Sequence, residues 1–251
     1  NKWRIIPFRI GSAYENMAID EALFRLNHKD DSPPVLRFYS WQNPTVSLGY
    51  FQKTVKEINV EACSQLGIDL VRRPTGGKAV FHSNDLTYAV VAKETNHLFS
   101  KDLLDTYRTI SHCLAEGLKR LGICAVMADE PRKAISPSLI NYCFSSPSRY
   151  ELLVSNKKIC GSAQARAQGV FLQHGAMLLD FNANESLSVL KQHDDAPDQF
   201  QYLVNSVTSI RHCIGHGIEI IRLCNILQSG FEKILGISFA VIDLTSEEKA
   251  L

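Results

Sequence analysis

The chain has 251 residues, 45% hydrophobic and 21% charged, enough for a sizeable core in one large domain. Its 27 Lys and Arg against 26 Asp and Glu leave a net charge of +1, so no basic balance points toward nucleic acid as a partner. No apolar run nears the ~20 residues that a membrane span requires, and no signal-peptide core opens the chain.

Residues 13–27 (AYENMAIDEALFRLN) predict a helix rich in Ala and Leu, with the acids Asp20 and Glu21 on its surface. Short β-branched or aromatic runs follow, VLRFY, TVSLGYF, DLVRR, KAVFH and LTYAVVA, broken by Pro, Gly and Asn as strands are. Residues 102–121 give the clearest helix: Leu103, Leu104, Tyr107, Ile110, Leu114, Leu118 and Leu121 share one stripe. Residues 127–142, with Pro131 and Pro137, read as an exposed connection. YELLV and KKICG then flank Ser155-Asn156, which predicts a tight hairpin with Lys158 turned inward and Lys157 outward. VFLQHGAMLLDF reads as a further strand and residues 219–235 as a last helix. Elements this mixed, without strict βαβ alternation, predict an α+β fold and a single domain over residues 1–251. The chain does not begin with Met, so a few residues are expected to be missing before Asn1.

VRRPTGGKAVFH, residues 71–82, places Gly76-Gly77 between two strand-like runs. Glycines there let backbone amides approach a ligand, although a plain hairpin turn accounts for the dipeptide as well. The spacing fits neither a P-loop nor a dinucleotide fingerprint. Arg72 and Arg73 read either as solvated strand-end charges or as ligand contacts, and His82 and His174 either as packed histidines or as bases. His212 and His216 have a metal-like spacing but no evident third ligand, so no metal is expected. Seven scattered cysteines without C-x-x-C spacing point to reduced thiols and a cytoplasmic location. Cys63, Cys113, Cys124, Cys213 and Cys224 are read as small buried apolar residues.

RRPTGGKAVFH resembles the signature Arg-Arg-x-(Ser/Thr)-Gly-Gly-x-Ala-Val-x-His of the lipoate–protein ligase and octanoyltransferase family. Further segments follow that family's order: ENMAIDEALF, NPTVSLGYFQ, KKICGSAQ, QHGAMLLD and VTSI at 207–210, so the resemblance runs from about Ile5 to about Leu235. It implies the biotin/lipoate protein ligase catalytic-domain fold, a mixed β-sheet flanked by helices with a channel for an acyl chain. CFSSPSRYEL is similar to the segment in which the transferase class carries its acyl-accepting cysteine, which makes Cys143 the implied nucleophile. A free thiol is only a few per cent thiolate at neutral pH, and a neighbouring ammonium favours that reactive form. Lys158 is the family's lysine and the implied partner, placed to stabilise charge on the acyl oxygen. Cys160 falls in the lysine motif at a position where the family accepts small residues.

The resemblance further implies that Arg73, Thr75, Gly76, Gly77, Lys78, His82, Gly161, Ser162, His174 and Gly175 bind substrate. Lys78 stands where the ligases usually carry a third glycine, and as a side chain it would crowd a nucleotide or meet a carrier's acidic surface. The ligases' extra C-terminal domain is not expected here, since few residues follow the last matching segment. These features imply octanoyl transfer from octanoyl-acyl carrier protein to a lipoyl-domain protein, such as the glycine cleavage H protein or a 2-oxoacid dehydrogenase E2. No cofactor, nucleic acid or membrane enters that reaction. The alternatives are an ATP- and magnesium-dependent lipoate–protein ligase, and a non-catalytic carrier-binding partner subunit.

Overall fold

The structure, a computed structural model, describes residues 2–29, 32–53, 57–131, 139, 142–191 and 198–251. Its frame is an eight-stranded mixed sheet. In chain order the strands are β1 (Lys2–Gly11), β2 (Val35–Trp41), β6 (Asp85–Lys93), β7 (Val126–Met127), β8 (Leu152–Val154), β9 (Lys157–Ala167), β10 (Val170–Leu178) and β11 (Ser238–Val241). Across the sheet the order is β11-β1-β2-β6-β10-β9-β8-β7, parallel at β11–β1–β2 and antiparallel from there on. A second sheet joins β4 (Asp69–Arg72), β3 (Thr45–Leu48) and β5 (Val80–His82) in that order.

Strand alternation divides the core between the two faces of the large sheet. From β6, Leu86, Tyr88, Val90 and Ala92 face one side, where they pack with Ile110, Leu114, Leu118, Leu223, Leu227 and Phe231. Those partners come from the helices α3 (Leu103–Lys119) and α7 (Ile220–Leu235), the latter within one residue of the predicted span. Ala89 and Val91 face the other side and pack with Met17 and Leu23 of α1 (Ala13–Leu26). That second face also carries Asp85, Thr87 and His174, on the side that faces α1 and the small sheet. Among the described residues no helix is long and apolar enough to cross a membrane.

Several expectations are corrected. Leu103 and Leu104 are exposed, because the buried stripe of α3 begins one turn later at Thr106 and Tyr107. Asp20 is wholly buried, for it shares the inward face of α1 with Ala13, Asn16, Met17 and Leu23. Gly76-Gly77 does not close a hairpin: β4 and β5 both pair with β3 and never with each other, so the glycines lie on a crossover. Cys124 is exposed, at the turn that follows α3. Residues 132–138, 140 and 141 of the expected connection lie outside the described residues, while Ala128, Leu139 and Tyr142 around them are buried.

Candidate active site

The β8–β9 hairpin turns on Ser155 and Asn156, both at positive φ (48° and 64°), as a two-residue turn between twisted strands demands. Beyond the turn the register slips: Leu153 faces Lys158 but Leu152 faces Cys160, which leaves Ile159 as an extra residue on β9. Without that bulge, Lys158 and Gly161, three residues apart, would point to opposite faces. With it, Lys158 joins Gly161 and Ala163 on the cavity face, while Cys160 packs into the α3–α7 core, where burial pushes its thiol up to about 12. Lys157 is half-exposed and donates to Val204 O at 2.9 Å.

Cys143 opens a single 3-10 turn (Cys143–Ser145) whose start is stitched to the glycine-loop strand, since Cys143 N donates to Ala79 O at 2.8 Å. Its Sγ lies 3.5 Å from Lys158 Nζ. The ammonium also donates to Cys143 O at 2.6 Å and Ser146 O at 3.4 Å, and pairs with Glu151 Oε2 at 2.6 Å. Burial opposes its charge, but Cys143 and Glu151 outweigh burial and raise its pKa. Glu151 is itself fixed by Ser148 N at 2.6 Å and Ser162 N at 3.3 Å. Gly161 makes room for the pair: a Cβ there would lie 2.9 Å from Cys143 Sγ and 3.1 Å from Lys158 Cε.

These groups line a cavity of about 240 Å³ with mostly apolar walls, among them Met17, Trp41, Val80, Ala163 and Ala176. Arg73, Gly77, Lys78, His82, Ser162, His174 and Gly175 line it too; Thr75 and Gly76 do not, but bond to the lining residues His174 and Arg73. Arg73 is buried, not solvated, and braces the glycine loop by donating to Ser47 O, Gly76 O and Lys78 O at 2.6–2.9 Å. Arg72 donates to the carbonyls of Gly49, Tyr50 and Gln52. Gly77, at φ 91°, turns its carbonyl so close to Gly49 that any side chain at Gly49 would strike it. Lys78 folds inward and donates to Ser146 Oγ at 2.9 Å. Burial, together with the charge of Lys158, lowers its pKa.

Two buried histidines close the wall. A carboxylate only accepts, so His174 Nδ1–H donates to Asp20 at 2.9 Å, and Nε2 lies 2.7 Å from Thr75 Oγ1. Burial holds His174 below its ordinary pKa, so the ring is neutral and Nε2 accepts from Thr75. Burial works against the Asp20 carboxylate, yet His174 and Arg37 together hold its pKa below the usual value. Asp20 also accepts from Arg37 at 2.7 Å and from Tyr39 OH at 2.8 Å. His82 repeats the pattern, with Asp85 at 3.0 Å on Nδ1, Ser47 at 2.8 Å on Nε2 and Trp41 stacked on its ring. His212 and His216 are exposed and outside the cavity.

Sequence reasoning missed Asp20, Asp85 and Glu151. The signals were present: Asp20 falls on the stripe of Met17 and Leu23, and Glu151 heads an apolar run one strand away from an inward lysine.

A family model described as the lipoyl protein ligase A/B catalytic domain matches residues 12–232. The chain belongs to this family. It is 39% identical to an octanoyltransferase LipM of Kyrpidia tusciae, over 98% of this chain and 92% of that protein. It is 36% identical to an octanoyltransferase LipM of Clostridioides difficile, over 100% and 93% respectively. Among solved structures it is similar to a bi-partite lipoate protein ligase of Thermoplasma acidophilum, with TM-score 0.83 and 26% identity over 99% of this chain and 89% of that one. It is also similar to a lipoate-protein ligase A bound with ATP, with TM-score 0.81 and 27% identity over 100% and 92%. The mixed sheet flanked by helices is thus the lipoate-protein ligase fold.

Proposed function

We propose that this chain is an octanoyltransferase of protein lipoylation that works through a thioester on Cys143. Full-length relatives named octanoyltransferase support the acyl-transfer class. The observation that carries the thioester is the Cys143 thiol 3.5 Å from the Lys158 ammonium, on the wall of a mostly apolar cavity. In the first step the Cys143 thiolate attacks the carbonyl carbon of octanoyl-acyl carrier protein. The oxyanion collapses and the carrier's thiolate leaves. In the second, the lysine amine of a lipoyl-domain protein, such as glycine cleavage H protein or a 2-oxoacid dehydrogenase E2, attacks the Cys143 thioester. An amide forms, the amine's proton ends on the sulfur, and the thiol is restored. Both steps balance without nucleotide or metal, because the donor thioester already carries the activation. Seven unpaired cysteines are in keeping with a reducing, cytoplasmic setting.

The ligase reading rests on the solved neighbours. Against it stand a thiol that adenylation does not require and Lys78 reaching into the cavity from the glycine loop. Intact-mass measurement decides between them. Mixed with octanoyl-acyl carrier protein and no ATP, the enzyme is expected to gain one octanoyl group and lose it on addition of a lipoyl domain, and Cys143→Ser is expected to gain none. Lipoate-dependent pyrophosphate release with ATP and magnesium, and no mass gain, would move the assignment to ligase.

A further inference from the structure

Two ammonium groups, not one, stand at the thiol. Lys158 is 1% exposed, and its three N–H directions are spoken for by Cys143 O, Glu151 Oε2 and Ser146 O, with the sulfur alongside. An ammonium so pinned serves the sulfur well. It has no hydrogen left for a second oxygen, and turning one away would leave the Glu151 carboxylate or a buried carbonyl unmatched.

Lys78 is differently placed. It lies one residue before Ala79, whose carbonyl accepts the Cys143 N–H, so the backbone holds it next to the nucleophile. It lines the same cavity and is half-buried. Among the described residues its Nζ has one hydrogen-bond partner, the Ser146 hydroxyl at 2.9 Å, and no carboxylate. Two of its three hydrogens therefore have no partner among the described residues, in a side chain that lines the same cavity as the thiol. The histidines and the arginine of the wall are occupied: both nitrogens of His82 and of His174 are bonded, and Arg73 is spent on three carbonyls.

Resting on the thioester reading above, we propose that Lys78 is a second catalytic residue: it donates the hydrogen bond to the thioester oxygen as that oxygen becomes an oxyanion. The two lysines then divide the work. Lys158 holds the sulfur as thiolate. Lys78 meets the charge that grows on oxygen when the sulfur attacks, and again when the acceptor amine attacks the enzyme thioester. No proton transfer through Lys78 is needed, since the leaving thiolate departs charged in the first step and the amine's proton goes to sulfur in the second.

The test uses octanoyl-N-acetylcysteamine, a small thioester with no carrier protein attached, and compares it with iodoacetamide. Alkylation attacks carbon and builds no oxyanion, so it reads the thiolate alone. Lys78→Met is expected to slow acyl-enzyme formation from the small thioester ~10²–10³-fold, the cost of one lost oxyanion donor, while alkylating within about twofold of wild type. Lys78→Arg, still charged and a donor but shaped differently, is expected to recover part of the rate. Alkylation is read at Cys143 by peptide mass, because other free cysteines, the exposed Cys124 among them, react too, and thermal unfolding checks that the variant is folded. The inference is overturned if Lys78→Met slows both reactions equally, which would make Lys78 a second thiolate partner. It is overturned likewise if Lys78→Met slows transfer from carrier protein but not from the small thioester, which would assign Lys78 to carrier docking. An unchanged rate from either donor overturns it as well. If wild-type enzyme itself forms no thioester, the parent reading fails, and that result is distinct from all of these.

Discussion

Replacing Gly161 by Ala tests whether the thiol and the ammonium must share one small space. The added Cβ would lie 2.9 Å from Cys143 Sγ, 3.1 Å from Lys158 Cε and 3.3 Å from Lys158 Nζ, against an ordinary van der Waals contact of 3.4–4 Å. The sulfur must therefore retreat by about half to one ångström, because Lys158 is fixed at three oxygens and cannot give way instead. Overpacking of this kind costs about 1–3 kcal/mol. For a chain of this size that lowers Tm by ~2–12 °C, at roughly 2–4 °C per kcal/mol. A misplacement near 1 Å at reacting atoms costs ~10²-fold in rate, equivalent to about 2.7 kcal/mol of activation free energy. The assay pairs thermal unfolding with quenched intact-mass kinetics of the acyl-enzyme. Gly161→Ala is expected to stay folded and to form acyl-enzyme about a hundred times more slowly. A variant that forms it at the wild-type rate would refute the claim that this glycine keeps the thiol beside the lysine.

Lys158→Ala is expected to slow acyl-enzyme formation and Cys143 alkylation alike, because both need the thiolate, whereas Lys157→Ala leaves both near wild type; the reverse pattern would show that the bulge at Ile159 does not set the facing. Asp20→Asn is expected to change the acid limb of stability, measured by urea unfolding against pH. The folded Asp20 pKa lies below 3.8, so its contribution is present above that value and fades as pH falls through the folded pKa. His174 is held below 6.5, so the unfolded chain binds its proton first and stability declines as pH falls through about 6.5. The variant is expected to lose the Asp20 component, and an acid limb unchanged from wild type would show that this carboxylate is not the group that titrates.

Part of the candidate site was legible before folding. The family resemblance singled out Cys143 and Lys158, which the fold brings to 3.5 Å, and Ser155-Asn156 between two strand-like runs specifies a turn through its own backbone preferences. The helix at Leu103–Lys119 follows from periodicity alone, within a residue or two at each end.

Only tertiary structure decided which distant groups meet. Periodicity assigns a residue to a face of its own element, not to the partner across from it. Thus Asp20 was readable as a helix acid, but its burial depends on Arg37, Tyr39 and His174 arriving from β2 and β10. Gly76-Gly77 has hairpin chemistry, yet β3 enters between its flanking strands and makes it a crossover. Glu151 finds Lys158 because the hairpin brings the two strands side by side, and Lys158 finds Cys143 because one extra residue at Ile159 shifts the phase of β9. A bulge is set by how two strands register against each other, and that energy is shared across the whole sheet, so no short stretch of sequence carries it.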